Sequence, residues 1–358
     1  EPIWNEDGTF YENFAVNYYY NPVGIIREQD GKYNSENTRM TGNITFEPIK
    51  NWQTNLMLSR RVTSDHNRGY YTSEYFSQKS ENHTGYAYHS QNEYTTDNLE
   101  VTSKYNHTWN KHRFDALVGY NYQYNVNEGF GANNYDYPTD FYLWNNLGLG
   151  TALKDGKAGM SSYKNDNTLI GFFGRVSYGY DNKYNVLLSV RREGSSKFGA
   201  NQKWGYFPAA SLAWEMMEMG FMKNTRKVLT SLKPRVSFGI TGRSDFDAYK
   251  SLSTYNTNGS YLFDGRWVTG YAPSSNANPD LAWEKSVAIN LGVDFVLWNR
   301  LRGSVEYFDR SSKDLLYTYT APQPPFVYST ILVNVGTTKN TGIEVSLDGD
   351  ILTKTAVK

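Results

Sequence analysis

Apolar and polar residues alternate along much of this sequence, and the alternating segments come in pairs joined by very short turns. One pair alternates from Leu99 to Trp109, turns at "NKH", and alternates again from Phe114 to Tyr124. A period of two residues is that of a β-strand with one apolar face, and a short link joins antiparallel neighbours. About eleven such segments occur along the chain. The pattern therefore predicts an all-β, antiparallel fold.

The composition limits the setting of this fold. Mean hydropathy is -0.66, and no apolar run approaches the roughly 18 residues that a membrane helix needs, so a helical membrane protein is excluded. Aromatic residues nevertheless reach 16%, with 31 Tyr and 9 Trp. Strands of a transmembrane β-barrel expose only alternate residues to lipid and carry Tyr and Trp girdles, so a polar average and a high aromatic content occur together in them.

The links between strands alternate between short and long. Short links have two to five residues, except for a longer one at 215–231 that predicts a small helical segment. The long links cover approximately residues 62–93, 126–166, 194–205, 243–280 and 311–338. Outer-membrane barrels have short periplasmic turns and long extracellular loops, whereas long structureless loops are uncommon in compact domains. The pattern favours a transmembrane β-barrel, although alternation alone is also compatible with a soluble β-sandwich.

Several motifs carry a resemblance to a known family. The segment "RREGSSKFGANQKWGYFPAASLAWE" resembles the R-x-D-G-S-S-x-F-G and G-Y-F-P-x-x-S-x-x-W elements of SusC/RagA-like TonB-dependent outer-membrane transporters of Bacteroidetes-type bacteria, with Glu193 in place of Asp. The segments "NPDLAWEKS" and "NVGTTKNTGIEVSL" resemble later motifs of the same family, in the same order. The block from "GYAYHS" to "LVGYNYQ" and the block "FMKNTRKVLTSLKPRVSFGITG" are similar to further family segments. Together these motifs span about residues 10–347.

The resemblance implies a larger barrel of about 22 strands, with a plug domain and a TonB-contact segment that this chain lacks. The N-terminal "EPIWNEDGTFYENF" has no features of a secretory signal, so either a signal was removed or the chain is an internal piece. Eleven strands with two open edges would leave unpaired backbone groups in hydrocarbon, and the last residues fall where a periplasmic turn belongs, so we expect a piece of a larger barrel. The family implies a bacterial outer-membrane location and active uptake of oligosaccharides or, in some members, peptides. It also implies a SusD/RagB-like lipoprotein partner, membrane lipid as surroundings, and energy from TonB-ExbB-ExbD through the missing N-terminal regions.

Other functional classes receive little support from the residues. Lys and Arg number 36 and Asp and Glu number 36, without a dense basic run, so nucleic acid is not an expected partner. The five histidines form no set of three converging ligands, and we expect no metal site, no cofactor and no enzyme activity. A Ca²⁺ site among loop carboxylates stays open, although no EF-hand spacing occurs. The loop carboxylates are Asp245, Asp247, Asp264 and Asp280.

Aromatic residues in the long links are candidates for substrate contact. Residues 133–146 and 259–271 mix Tyr, Phe and Trp with polar residues, a combination that stacks on sugar rings and bonds hydroxyls. The candidate substrate-binding residues are Tyr142, Trp144, Arg192, Trp204, Tyr261, Asp264, Arg266 and Trp267. The alternative is that these side chains pack the loops together or belong to an interfacial girdle. Strand parity places one of Arg191 and Arg192 toward the barrel interior, because charge is costly on a lipid face.

Two functions compete with an active importer. A passive outer-membrane porin would share the strand pattern, but porins commonly have about 16 to 18 strands and an open aqueous lumen. A soluble surface glycan-binding β-protein would share the alternation and the aromatic loops. The ordered family motifs favour the importer over both alternatives.

Overall fold

Strands make up most of the structure, a computed structural model that describes residues 2–15 and 20–350. The strands in that part of the chain are β1 Gln29–Ile49, β2 Trp52–Tyr71, β3 Tyr86–Trp109, β4 His112–Tyr135, β5 Met160–Tyr180, β6 Tyr184–Ser195, β7 Trp204–Trp214, β8 Leu229–Arg243, β9 Tyr255–Phe263, β10 Arg266–Pro273, β11 Glu284–Leu297, β12 Leu301–Lys313, β13 Leu316–Thr320, β14 Thr330–Asn334 and β15 Thr337–Gly349. The α-helices are α1 Pro22–Arg27 and α2 Phe76–Glu81. The 3-10 helices are Leu143–Asn145, Leu147–Leu149, Met216–Glu218 and Gly220–Thr225. Within the described residues, no helix combines the length and apolarity needed to cross a membrane.

Eleven strands form one sheet in the order β1-β2-β3-β4-β5-β6-β7-β8-β11-β12-β15. Neighbours along the chain are neighbours in the sheet, apart from the two hairpins β9–β10 and β13–β14, which are separate two-stranded sheets. The prediction of an all-β fold with about eleven antiparallel strands is therefore confirmed. Such an order needs only local links, which is why the paired alternation in the sequence was sufficient to predict it.

The short links contain residues with positive φ. Asn51 has φ 72°, Asn110 has φ 49°, and Asp181 and Asn182 have φ 53° and 55°. Turns of this hand match the right-handed twist of the flanking strands, and Asn and Asp tolerate the conformation better than other non-glycine residues. The longer link between β7 and β8 holds two 3-10 helices, in agreement with the predicted helical segment.

The strands extend further than the sequence pattern indicated. The link between β2 and β3 is 72–85 rather than 62–93, and that between β4 and β5 is 136–159 rather than 126–166. The other long links are 196–203, 244–283 and 314–336, and the last two contain the hairpins β9–β10 and β13–β14. The predicted boundaries of the first two links were wrong because alternation disappears where both faces are polar or aromatic, while the backbone ladder continues; those of the other three differ from the structure by at most three residues.

The chain divides into two compact units. The first comprises the described residues within 1–41, 59–97 and 124–166, and the second comprises the described residues within 42–58, 98–123 and 167–358. The core of the first unit consists of Tyr70, Ala87 and Tyr137, all buried. Partly buried side chains from the link 136–159 pack against this core; they are Leu143, Trp144, Leu147 and Leu149.

The core of the second unit lies where the long links meet the strand ends. Its buried members are Phe198, Phe207, Leu281 and Trp283. The Phe207 ring lies against two glycines, since a Cβ at Gly205 or Gly242 would approach a ring carbon to 2.4 or 2.2 Å. Glycine is therefore required at both positions for the ring to lie flat on the sheet.

The sheet of the second unit has one apolar and one polar face. Register keeps the apolar positions together from strand to strand, as in the row Val236, Leu291, Tyr307 and Ile343. These side chains are exposed; Ile343 is 70% and Leu291 48% accessible. A continuous exposed apolar face of this kind is a surface that water does not favour, so it marks a contact with another apolar phase or molecule.

Candidate functional site

Ion pairs cross the polar face of the second unit. Arg235 on β8 donates to Asp294 at 3.2 Å on β11 and to Glu306 at 2.6 Å on β12. Gly292 stands between Arg235 and Glu306 in the register, and a Cβ there would lie 2.8 Å from the guanidinium carbon. The absence of a side chain at Gly292 thus allows one arginine to span three strands.

A cavity of 280 Å³ lies beside this ion pair on the polar face. Its polar lining includes Ser177, Asn185, Ser211, Lys233 and Asn290, and none of the described lining residues is acidic. Asn290 also donates to the Ser237 hydroxyl at 3.2 Å. The polar face therefore presents hydroxyls, amides and paired charges, which are groups that bind polar solutes and water.

The two adjacent arginines of β6 have different surroundings. Arg191 lies on the polar face, where it donates to Glu193 at 2.6 Å and to the Asn121 side chain at 2.9 Å. Glu193, the residue that differs from the family motif, is largely buried and takes part in this ion pair. Of the two arginines, Arg191 is therefore the one on the polar face, and its expected position toward the barrel interior stays a prediction.

Arg192 lies on the opposite, apolar face, in line with Leu188 and Val190. Its guanidinium lies 4.5 Å from the Trp204 ring centroid and 5.5 Å from that of Tyr206. The candidates Arg192 and Trp204 are therefore in contact with each other on the apolar face, opposite to the face that carries the polar groups. The physical reason is the period of two, which sends consecutive strand residues to opposite faces.

Four of the sequence candidates come together on the hairpin β9–β10. Tyr261 pairs with Val268, and Trp267 pairs with Leu262, while Asp264 and Arg266 lie at the tip. Tyr261 is 53% and Trp267 75% accessible. Alternation places Tyr261 and Arg266 on one face of the hairpin and Trp267 on the other. In the described residues, no hydrogen bond, ion pair or ring contact joins these four to Arg192 or Trp204.

The two candidates in the first unit differ in burial. Trp144 packs against the core of that unit, and its carbonyl oxygen accepts a hydrogen bond from His89 Nε2 at 2.7 Å. Tyr142 is exposed and makes an edge contact with the Phe141 ring at 5.3 Å. Loop packing, the alternative considered for these aromatics, therefore describes Trp144, whereas Tyr142 remains available to a ligand.

A group of aromatic rings in contact with one another in the first unit was not predicted. We call it the tyrosine cluster; its members are Tyr71, Tyr75, Tyr86, Tyr88, Tyr135 and His83. Tyr71 and Tyr75 stack at 4.5 Å, and Tyr86 and Tyr135 lie 4.6 Å apart. Tyr71 and Tyr86 alternate along their strands with Tyr70 and Ala87, so the cluster lies opposite to the core of this unit. Its sequence signal was the repeated Tyr in "GYYTSEY" and "GYAYHS".

Burial affects the chemistry of the tyrosine cluster. Burial raises the pKa of Tyr86 to about 12 and also raises the pKa of Tyr71, Tyr75 and Tyr135 above their usual value. These four phenols are therefore neutral near pH 7 and offer hydroxyl groups as donors and acceptors beside the ring faces. His83 bonds Asp136 at 2.9 Å, which holds one edge of the cluster to the link 136–159.

Three asparagines tie the long links of the second unit together. Asn276 donates to the carbonyls of Tyr328 and Thr330 at 2.6 and 2.9 Å and accepts from two backbone amides of the same segment. Asn334 bonds both the amide and the carbonyl of Ala282, and Asn278 donates to the Leu332 carbonyl. The links 244–283 and 314–336 are thus joined by hydrogen bonds at residues 276–282, which overlap the "NPDLAWE" motif.

The carboxylates considered for a metal ion are partly engaged within the protein. Asp245 accepts from Arg243 at 3.0 Å, and Asp280 accepts from Asn201 at 2.9 Å. Across residues 2–15 and 20–350, no three His, Asp or Glu side chains are grouped as a metal site requires. The expectation that the protein has no cofactor stays a prediction, and a Ca²⁺ site in the long links stays an open alternative to it.

Comparisons with known proteins identify the family of the sequence and proteins of similar fold. Residues 2–356 match the family described as TonB dependent receptor-like, beta-barrel. TonB-dependent receptor P3 of Formosa agariphila is 34% identical over 72% of this chain and 25% of its own length. TonB-dependent receptor SusC of Bacteroides thetaiotaomicron is 34% identical over 54% of this chain and 20% of its own length.

The solved structures agree in fold. The RagAB peptide importer in its closed-closed state has a TM-score of 0.84 at 23% identity, and the match covers 97% of this chain and 37% of that one. Identity at this level shows the fold alone, which is the β-barrel fold of these receptors. The chain spans about a quarter of the length of the curated relatives it matches. The relatives are receptors and not enzymes. Because the family match extends over nearly the whole sequence, this chain belongs to the TonB dependent receptor-like β-barrel family.

Proposed function

We propose that this chain is part of the barrel of a bacterial outer-membrane importer that takes up oligosaccharides, or peptides, together with a SusD/RagB-like surface lipoprotein. TonB-ExbB-ExbD energises this uptake through regions outside the chain. The observation that carries the proposal is the two-faced sheet, apolar and exposed on one side and polar with internally paired charges on the other. Family membership supplies the TonB-linked class, so we do not retain a passive porin or a soluble glycan-binding protein.

The two faces have separate roles in the proposal. The apolar face meets membrane lipid, since Leu188, Leu291 and Ile343 are exposed there without protein cover. The polar face lines the aqueous interior, where Arg235 and Arg191 are neutralised by nearby carboxylates. Alternate residues of a transmembrane barrel strand have this division between lipid and lumen.

Aromatic and polar groups of the long links support oligosaccharide as the substrate class. The tyrosine cluster offers ring faces beside neutral hydroxyls, and the hairpin β9–β10 presents Tyr261, Arg266 and Trp267 to solvent. Sugar rings stack on such aromatic faces, while hydroxyls bond to phenol, amide and guanidinium groups. Tyr142 stays a candidate contact, and we no longer include Trp144, Arg192 and Trp204.

The partner lipoprotein and the substrate classes rest on family resemblance. One relative is named SusC, and one similar structure is described as that of the RagAB peptide importer. Peptides therefore form the second substrate class of the test.

Uptake by cells tests the proposal. Labelled oligosaccharides and peptides are offered to wild-type cells, cells without the gene, and cells without TonB. We expect uptake of at least one oligosaccharide to fall to background in both deletion strains and to return on complementation. Uptake of peptides alone would replace the glycan version, and uptake that persists without TonB would contradict active import. Affinity purification from the outer membrane is expected to recover a surface lipoprotein with the protein.

A further inference from the structure

We propose that Arg192, Trp204 and Tyr206 form a binding site for a phosphate group of the lipid that surrounds the barrel. The inference rests on the proposed membrane setting of the apolar face. It assigns to this corner of β6 and β7 a ligand other than the transported substrate.

Arg192 is a cation among apolar and aromatic neighbours. Its partners in the register are Phe172 on β5 and Tyr206 on β7, and Val190 precedes it on the same face. Within β6 and β7, both fully described, no acidic residue shares this face, because Glu193 lies on the opposite one with Arg191. No hydrogen bond or ion pair of Arg192 occurs within residues 2–15 and 20–350.

Two rings form a platform under the guanidinium. Trp204 lies opposite Gly194, where a Cβ would approach the indole to 2.8 Å, so glycine allows the indole to lie flat against the strand. The indole also stacks on Phe172 at 6.3 Å. The guanidinium carbon lies 4.5 Å over the Trp204 centroid, a contact that uses the charge but none of the hydrogen-bonding capacity, so the N–H groups can still bind an external acceptor.

The position along the strand indicates which acceptor is available. Arg192 lies three residues before the end of β6 at Ser195, where the link 196–203 begins. A charge on the lipid face is tolerated best near the interface, and Trp and Tyr concentrate at the same level. Lipid phosphates lie at this level, and a planar guanidinium binds a phosphate through two parallel hydrogen bonds.

A charged pair elsewhere on the apolar face contrasts with Arg192. Lys339 on β15 and Asp309 on β12 bond each other at 2.9 Å, so they are neutralised within the protein. Arg192 has no such internal counter-ion among the described residues. A phosphate from the surrounding lipid would provide one, and the aromatic platform fixes the direction from which it binds.

Lipid titration of the protein as the cell makes it, purified in a maltoside detergent, tests the site. Phosphatidylglycerol and, in a parallel arm, lipid A are added, and bound lipid is counted by native mass spectrometry. We expect Arg192→Gln to weaken phosphate-lipid binding about tenfold, since a charge-assisted hydrogen-bond pair is lost. Arg192→Lys is expected to fall between, because it keeps the charge but loses the planar fork. The lipid whose binding falls in Arg192→Gln is identified as the source of the phosphate.

Arg175→Gln is the matched control. Arg175 is on β5 and faces the polar side, and its ion pair with Asp115 at 3.8 Å is backed by Lys104 at 3.1 Å, so its loss is well tolerated. We expect this variant to bind both lipids within about twofold of wild type. Equal binding by wild type and Arg192→Gln, or an equal loss in Arg175→Gln, would overturn the site. If the protein is monodisperse without detergent, the membrane setting fails as well, which separates the two failures.

Discussion

Single residues in this protein are governed by which face of the strand they occupy. Arg191 and Arg192 are adjacent, yet one is paired with Glu193 on the polar face and the other lies over Trp204 on the apolar face. Glycines act at the same scale. Gly292 gives Arg235 its path across β11, and Gly242 leaves space for a buried ring. The effect of a substitution should therefore depend on which face of the strand the residue occupies and on how much room its Cβ has.

Gly242→Ala is expected to destabilise the second unit. Its Cβ would lie 2.2 Å from a carbon of the buried Phe207 ring, and overpacking of this kind costs about 1–3 kcal/mol. The midpoint of urea unfolding in lipid vesicles measures the effect. Gly239→Ala on the same strand is the control, because its Cβ would meet Ala209 at an ordinary 3.5 Å. Equal midpoints for the two variants would show that the Phe207 packing is not as described.

Tyr137 links stability of the first unit to alkaline pH. Burial raises the pKa of Tyr137 to about 12, above the value near 10 of a free phenol. A raised folded-state pKa contributes stability that is complete below about pH 10 and is lost as pH rises through about 12. Phenolate absorbance of the wild type minus that of Tyr137→Phe should show ionisation delayed to about pH 12. Ionisation near pH 10 would mean that Tyr137 is accessible to water.

Elements differ in how much their own sequence reveals. The short hairpins of the main sheet could be predicted because alternation and turn residues are local. The hairpin β9–β10 lies inside a predicted loop, and in Tyr255–Phe263 the residues Asn256, Asn258 and Gly259 hide its strand character. Arg192 could have been placed by counting alternate residues from Leu188. The repeated tyrosines are visible in the sequence, but the contact that brings Tyr135 against Tyr86 and the one that brings Trp144 against His89 join residues about fifty positions apart, which no local pattern contains.

The hairpin β9–β10 is expected to contribute directly to substrate binding. Trp267→Ala removes an exposed aromatic face, and a stacking contact contributes about 0.5–1.5 kcal/mol, or roughly 2- to 12-fold in Kd. Tyr261→Ala is expected to act similarly from the other face of the hairpin. Isothermal titration with the imported oligosaccharide measures the change. Trp298→Ala, in the short turn after β11, should leave the Kd unaltered; a comparable loss there would refute a specific role of the hairpin.

Asn276 is expected to hold the link 314–336 in place. Asn276→Ala removes two donated and two accepted hydrogen bonds to the backbone of that segment, including those to Tyr328 and Thr330. Buried backbone groups that lose their partners cost about 1–3 kcal/mol. Hydrogen exchange of residues 321–332 should accelerate roughly tenfold or more. Asn258→Ala, on the exposed hairpin, is the control, and unchanged exchange in Asn276→Ala would contradict the fastening role.

At the scale of the whole molecule, one division between two faces accounts for the sheet from β5 to β15. The net charge of zero and the mean hydropathy of -0.66 conceal it, because polar and apolar residues alternate and cancel in any average. The register preserves the division from β5 to β15, so that apolar rows continue across the sheet. A barrel wall between lipid and an aqueous interior requires this arrangement, and a soluble sheet with an uncovered apolar face would aggregate.

Accessibility of alternate residues in native membranes tests this division most directly. The chain has no cysteine, so single cysteines are introduced at Leu188, Ser189, Val190, Asn290 and Leu291 and labelled in outer-membrane vesicles. A water-soluble maleimide should label the substitutions of Ser189 and Asn290. A lipid-soluble quencher should reach probes at Leu188, Val190 and Leu291. Labelling that does not alternate, or lipid quenching on the polar face, would contradict the barrel wall proposed for this sheet.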